Sequence, residues 1–108
     1  MAESSLPPSR LSKAQLQARI RTVAMDSARV FFTDHAIARM KKRHLTRDIV
    51  LAVLRSGRVV RPPEFNFAKG NIECRMERHL VGHDIAVVVA VSDDDPDLLV
   101  ITAMTIGA

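Results

Sequence analysis

Apolar residues in the first quarter of the chain recur with the period of an α-helix. Leu16, Ile20 and Val23 form one stripe at i, i+4 and i+7, and Ser12 precedes them in the position of an N-cap. This pattern predicts a first helix from about Lys13 to Met25. Because the stripe is narrow, one face of this helix should be buried while the other faces solvent.

Two more helices are predicted in the second quarter, after a brief extended segment from Arg29 to Phe32. One begins at Asp34, behind Thr33. The other begins after Thr46, a good N-cap residue, and is terminated by Gly57, which is expected at the C′ position of that helix. Their apolar stripes are Ala36, Ile37 and Met40 in the former, and Ile49, Val50, Val53 and Leu54 in the latter.

Beyond Gly57 the pattern changes to the period of β-strands. Four strands are predicted. Prolines after the first strand place it at an edge of the sheet, and the uninterrupted apolar run of the third strand places it in the middle. Arg78 interrupts the alternation of the second strand and predicts a bulge or the end of that strand. The result is an α+β fold with about three N-terminal helices packed on one face of a four-stranded, mainly antiparallel sheet. The four strands contain Val59 and Val60; Ile72, Cys74 and Met76; Ile85 to Val91; and Leu98 to Ile106.

The composition fits one domain. With 108 residues, 47% of them hydrophobic, the chain can form a single core, so we assign residues 11–108 to one α+β domain behind a disordered tail over 1–10. No stretch is long and apolar enough to span a membrane, and the N-terminal residues lack a secretory-signal pattern. Cys74, the single cysteine, cannot form an intramolecular disulfide and is expected to be a buried apolar residue. We expect a soluble, cytoplasmic protein.

Charge is distributed unevenly along the chain. Lys and Arg number 16 against 12 for Asp and Glu, a net charge of +4. This excess permits a polyanionic partner without requiring one. The cations gather in Arg39, Lys41, Lys42, Arg43, His44 and Arg47, and the acids in Asp93, Asp94, Asp95 and Asp97.

Two groups of residues could carry chemistry. His35, Arg39 and Arg43 are spaced four residues apart on one helix face, where guanidinium groups could grip a phosphate and an imidazole could transfer a proton. Arg75 and His79 project from the polar side of one strand and could meet the first group. Alternative interpretations remain open: the helix face could be solvated surface, and the strand residues could pair with Glu73 and Glu77.

Several kinds of site are not expected. The four glycines are dispersed, so no glycine-rich loop suggests a nucleotide cofactor, and no paired cysteines or ligand-spaced carboxylates suggest a metal. Trp and Tyr are absent, so the chain is poor in aromatic platforms for base stacking. Phe65 and Phe67 form a clustered pair that could stack on bases, cover the core or contact a partner.

The segment Phe32 to Thr46, with Cys74-Arg75, Val87 to Val89 and Ile101-Thr102, resembles the bacterial domain-of-unknown-function family 4258. The resemblance spans about Phe31 to Ile106, and its most specific element is the spacing of His35-Ala36, Arg39-Met40 and Arg43. That family is similar to the RelE and BrnT group of small ribonuclease toxins, which pack helices against an antiparallel sheet and act on RNA without a metal. The chain departs from the pattern at Cys74, where an aromatic residue is expected.

The resemblance implies a metal-independent RNA endonuclease of the toxin type, without a cofactor, whose partners would be RNA and a protein antitoxin. The rival hypotheses are a non-catalytic protein-interaction module, as a homodimer, and a nucleic-acid-binding module without catalysis. The implied catalytic residues are His35 as general acid or base, with Arg39 and Arg75 stabilising the transition state. We expect Arg43, Lys42, Arg47 and His79 to bind phosphate and Thr102, or alternatively Thr105, to orient the RNA.

Overall fold

A computed structural model describes residues 6–80 and 82–106 as one α+β unit with three helices and a six-stranded sheet. The predicted helices are confirmed within one or two residues at each end. In chain order the elements are α1 (Lys13–Ala24), β1 (Val30–Phe32), α2 (Asp34–Arg43), α3 (Arg47–Ser56), β2 (Arg58–Val59), β3 (Glu64–Asn66), β4 (Asn71–Leu80), β5 (His83–Ser92) and β6 (Leu98–Ile106).

The sheet differs from the predicted four-stranded, mainly antiparallel one. Its strand order is β1-β6-β5-β4-β2, with β3 also paired to β4, and β1 runs parallel to β6. Because β1 lies between α1 and α2, the helices do not all precede the sheet. The extended segment predicted from Arg29 to Phe32 is found as β1, but its parallel pairing with β6 joins distant parts of the chain and was not predicted. The strand β3 was also missed, because three residues are too few to show alternation. The edge position of β2 and the central position of β5 are confirmed.

The first helix starts as its sequence predicts. Ser12 and Gln15 form a capping box: the Ser12 hydroxyl accepts the Gln15 amide at 3.1 Å, and the Gln15 side chain accepts the Ser12 amide at 2.9 Å. Leu16, Ile20 and Val23 are buried against the sheet and α3. The predicted apolar stripe is therefore the packed face of α1.

Arginines join the C-terminal ends of α1 and α3. Arg21 of α1 donates to the Gly57 carbonyl through Nε at 3.0 Å and Nη2 at 2.6 Å, and Arg55 of α3 donates to the Ala24 carbonyl at 2.7 Å. Each guanidinium satisfies a carbonyl at the end of the other helix, where positive charge is also favoured by the helix dipole. The two helix ends are therefore held side by side.

Gly57 ends α3, although not in the left-handed conformation of a C′ glycine. Its φ is −77°, which any residue adopts. The reason for a glycine is space, since a Cβ built there would lie 2.5 Å from the Val53 carbonyl oxygen and 2.9 Å from that of Glu77. The backbones of α3 and β4 thus approach closely at this point.

A bulge changes which side chains of β6 face the core. Val89 pairs with Val100, whereas the neighbouring Val88 pairs with Thr102, so Ile101 is an extra residue in β6. Ala103 consequently joins the buried, helix-covered face, and Thr102 lies on the opposite face, which we call the open face. Neither alternative predicted at Arg78, a bulge or the end of the strand, is found: the β4–β5 ladder continues in register to Leu80 paired with His83. Arg78 is exposed and donates to the Ser56 hydroxyl at the end of α3.

The N-terminal residues are partly attached to the domain. Pro8–Arg10, which the sequence assigned to the disordered tail, form a 3₁₀ turn, and Ser9 hydrogen-bonds Asp93 through its amide at 3.0 Å and its hydroxyl at 2.7 Å. Residues 1–5 of the predicted tail lie outside the described residues. Among the described ranges, no helix has the length and apolar character needed to cross a membrane.

Candidate functional site

A hollow of about 220 Å³ lies where α2 meets the second half of β6. Three of the side chains that the sequence singled out, His35, Arg39 and Arg43, line one side of it. The other side is formed by Thr102, Ala103 and Met104. The volume is several times the roughly 30 Å³ share of one water molecule, so the hollow admits an anion such as a phosphate group.

The position of α2 beside this hollow is fixed by Thr33. Its hydroxyl oxygen caps α2 by accepting the Ala36 amide at 3.0 Å, and the same hydroxyl donates to the carbonyl of Ile101 at 3.2 Å. The Thr33 amide also donates to the Val100 carbonyl at 3.0 Å. The start of α2 is therefore joined directly to the bulge of β6, which places His35 next to Thr102.

The electrostatics of the hollow favour an anion. None of its six described lining residues is acidic, and two are arginines. The hollow runs along α2 from its second residue, His35, to its last, Arg43, so only the His35 end lies near the backbone amides that favour negative charge. These features make the hollow a candidate site for a phosphate.

Arg75 lies on the same face of the sheet as Thr102, one of the residues that line this hollow. Cross-strand pairing places Arg75, Val88 and Thr102 in one row, and adjacent strands are about 4.8 Å apart, so the backbones of Arg75 and Thr102 are separated by roughly 10 Å. Arg75 lines a different hollow of about 140 Å³ and donates to the Glu77 carboxylate at 2.8 Å. It is therefore near the first hollow but is engaged in an ion pair.

The other residues that the sequence proposed do not line the hollow. His79 is paired with Asp84 at 2.8 Å, one ladder row from the end of β4. The guanidinium of Arg47 lies 4.6 Å from the ring centre of Phe32, which packs against the core on the helix side. Lys42 is exposed on α2. A role in binding a longer RNA stays a prediction for these three residues.

Sequence reasoning missed the contributions of Ala103 and Met104 to the hollow, and it gave no role to Phe31. Phe31 is 52% exposed and pairs with Leu99 on the open face. The side of the sheet to which these three side chains point depends on the β6 bulge or on the parallel pairing of β1, and neither feature can be read from the local sequence pattern.

Cys74 takes no part in this site. Its side chain is 1% exposed and packs in the core, as expected from the sequence, and burial raises the pKa of the thiol from 9.0 to about 11. The thiolate fraction at pH 8 should thus be about a hundredfold lower in the folded protein than in the unfolded chain. We expect iodoacetamide to label Cys74 at pH 8 only after denaturation; labelling of the native protein at the rate of the unfolded chain would contradict this burial.

The fold and the site define a small α+β domain with a basic, anion-sized hollow at one edge of its sheet. A family model described as "Domain of unknown function (DUF4258)" matches residues 32–105, and the chain belongs to this family. The matched segment begins at the last residue of β1 and ends at the penultimate residue of β6. It therefore contains every described lining residue of the hollow, whereas α1 lies outside it. Searches of curated proteins and of solved structures found no match.

Proposed function

We propose that this protein is a metal-independent RNA endonuclease of the toxin type, which binds a phosphodiester in the hollow between α2 and β6. The observation that carries the proposal is the convergence of His35, Arg39 and Arg43 with Thr102 on one cavity whose described lining contains no acid. An imidazole and two guanidiniums supply what attack by a neighbouring 2′-hydroxyl needs: proton transfer near neutral pH and stabilisation of charge on the phosphate.

In the proposed reaction, the 2′-oxygen attacks the adjacent phosphorus and its proton passes to His35. The bond between phosphorus and the 5′-oxygen breaks, that oxygen takes a proton from a water molecule, and His35 gives its proton to the hydroxide that remains. The products are a 2′,3′-cyclic phosphate and a 5′-hydroxyl end. Arg39 and Arg43 would neutralise charge on the non-bridging oxygens, and the Thr102 hydroxyl would orient the phosphate.

Arg75 fits this proposal as a residue for a neighbouring phosphate rather than for the reacting one. It lies roughly 10 Å across the open face from Thr102, and its Glu77 partner is on the same strand. Its side chain is 19% exposed. An RNA backbone crossing the open face could compete with Glu77 for this guanidinium.

A second candidate function is RNA binding without cleavage. It is favoured by the presence of a single histidine among the described lining residues and by the engagement of Arg75 with Glu77, which leave one proton-transfer group in the hollow. Binding without cleavage would still depend on Arg39 and Arg43. The two candidates therefore differ in product formation.

Cleavage is tested by incubating the purified full chain with single-stranded RNA in the presence of EDTA, and by inducing its expression in bacteria. We expect fragments with 2′,3′-cyclic phosphate ends and arrest of growth. Intact RNA together with salt-dependent binding would replace the endonuclease by the second candidate, and neither binding nor cleavage would overturn both.

The double variant Arg39→Gln/Arg43→Gln should weaken RNA binding by about a hundredfold, because each charge-assisted phosphate contact contributes about tenfold. The matched control Arg10→Gln/Lys13→Gln removes the same net charge at exposed positions before and at the start of α1. Affinity is measured by fluorescence anisotropy of a labelled RNA at fixed salt. Equal losses in the two double variants would show that only net charge matters and would contradict a phosphate site in the hollow.

A further inference from the structure

We infer that Phe31 is the surface on which an unpaired base of the RNA stacks, next to the phosphate held in the hollow. This inference rests on the proposed function and deepens it, because it assigns the substrate to the class of single-stranded or looped RNA. Nothing in the pattern of the sequence pointed to Phe31, and the low aromatic content counted against stacking of bases.

The position of Phe31 follows from strand pairing. Phe31 pairs with Leu99, and Leu99 pairs with Ala90, two residues from Val88, which pairs with Thr102. With about 3.3 Å per residue along a strand and about 4.8 Å between strands, the backbones of Phe31 and Thr102 are roughly 8 Å apart. This separation is comparable to the length of one nucleotide in an extended strand.

The β6 bulge makes this neighbourhood possible. In a regular strand, Leu99 and Thr102 would face opposite sides of the sheet, because they differ by an odd number of residues. The extra residue Ile101 turns Thr102 to the open face, where Leu99 and Phe31 already point. The ring of Phe31 and the Thr102 side of the basic hollow therefore share one surface.

Phe31 differs from the neighbouring aromatic residue in what it contacts. Phe32 packs against the core and under Arg47, whereas Phe31 is 52% exposed beside half-buried Leu99. Stacking platforms in single-strand binders combine exposed aromatic rings with a cationic groove, which is the combination found here. Bases in a duplex have both faces covered by their neighbours, so only an unpaired base could lie on this ring.

The absence of Trp and Tyr from the chain gives a direct test. Phe31→Trp introduces a single indole at the inferred platform, and Phe67→Trp introduces one at a control position that is 88% exposed on the turn after β3. Both variants are titrated with a 2′-O-methyl single-stranded RNA, which lacks the attacking hydroxyl, while binding is followed independently by anisotropy of a label on the RNA. We expect indole fluorescence to be quenched on binding in Phe31→Trp and unchanged in Phe67→Trp.

A second pair of variants measures affinity. Phe31→Leu keeps an apolar side chain but removes the aromatic face, and it should weaken binding of the single strand by about tenfold, whereas Phe67→Leu should leave it unchanged. The matching duplex should bind the wild-type protein more weakly than the single strand. Binding without selective quenching, or with equal affinity for Phe31→Leu and wild type, would overturn the role of Phe31 and leave the proposed function standing. Absence of RNA binding by the wild-type protein would overturn both.

Discussion

Replacing His35 with asparagine should slow RNA cleavage by about a hundredfold or more, because general acid–base catalysis by one residue typically contributes at least that factor. Asparagine keeps a polar, hydrogen-bonding side chain but cannot exchange a proton near neutral pH. Binding of RNA should change little, since Arg39 and Arg43 remain in the hollow. The expected signature is therefore a loss in the rate constant of the bound complex, measured by single-turnover cleavage with excess protein.

The matched control is His44→Asn. His44 is exposed and follows α2 in a left-handed conformation with φ of 57°, which asparagine tolerates better than most residues. It does not belong to the residues that line the hollow. Cleavage by His44→Asn should match the wild type. If His35→Asn also cleaved at the wild-type rate while remaining folded, His35 would have no part in proton transfer.

Replacing Gly57 with alanine should lower the free energy of unfolding by about 2–4 kcal/mol, because the added methyl group overlaps two backbone carbonyls. The carbonyl oxygens of Val53 and Glu77 would lie 2.5 Å and 2.9 Å from the new Cβ. Neither is the flexible end of a side chain, so α3 and β4 would have to move apart. The shift would also disturb the Arg21 hydrogen bonds to the Gly57 carbonyl. Urea unfolding followed by circular dichroism measures the loss.

Gly70→Ala serves as the comparison for Gly57→Ala. Gly70 has a φ of 65° and open space around its Cβ position, so alanine there incurs only the left-handed backbone strain of roughly 1–2 kcal/mol. Equal destabilisation by the two variants would mean that the close approach of α3 and β4 at Gly57 has no special cost.

The parts of the fold that sequence predicted well are those encoded by local periodicity. Ser12 and Thr46 begin helices where expected, and β6 has the predicted bounds. The three residues of the basic face on α2 could be found because spacing within one helix fixes which side chains lie together. Spacing within one helix could not predict that these residues share a hollow with Thr102, which belongs to β6.

The missed features depend on contacts between distant segments. The pairing of β1 with β6 and the bulge at Ile101 are set by tertiary packing, and a three-residue strand carries too little pattern to reveal either. Arg75 was correctly placed on a polar strand face, and its pairing with Glu77 was one of the alternatives raised from the sequence, although the ion pair forms within β4 and not between strands. Phe31 was missed because its place on the open face depends on the pairing of β1 with β6.

The extra residue in β6 also decides which side chains of this strand contribute to the core and which line the hollow. Strict alternation after Val100 would turn Met104 and Ile106 inward with Thr102, and would point Ala103 to the open face. A strand of the same length without the bulge would thus place Ile101 opposite Val88 and turn the Thr102 hydroxyl inward, although the basic helix was unchanged, whereas deletion of Ile101 would restore regular alternation and keep Thr102 on the open face. Among related sequences, the presence or absence of this bulge should therefore be as informative about the site as the identity of its cations.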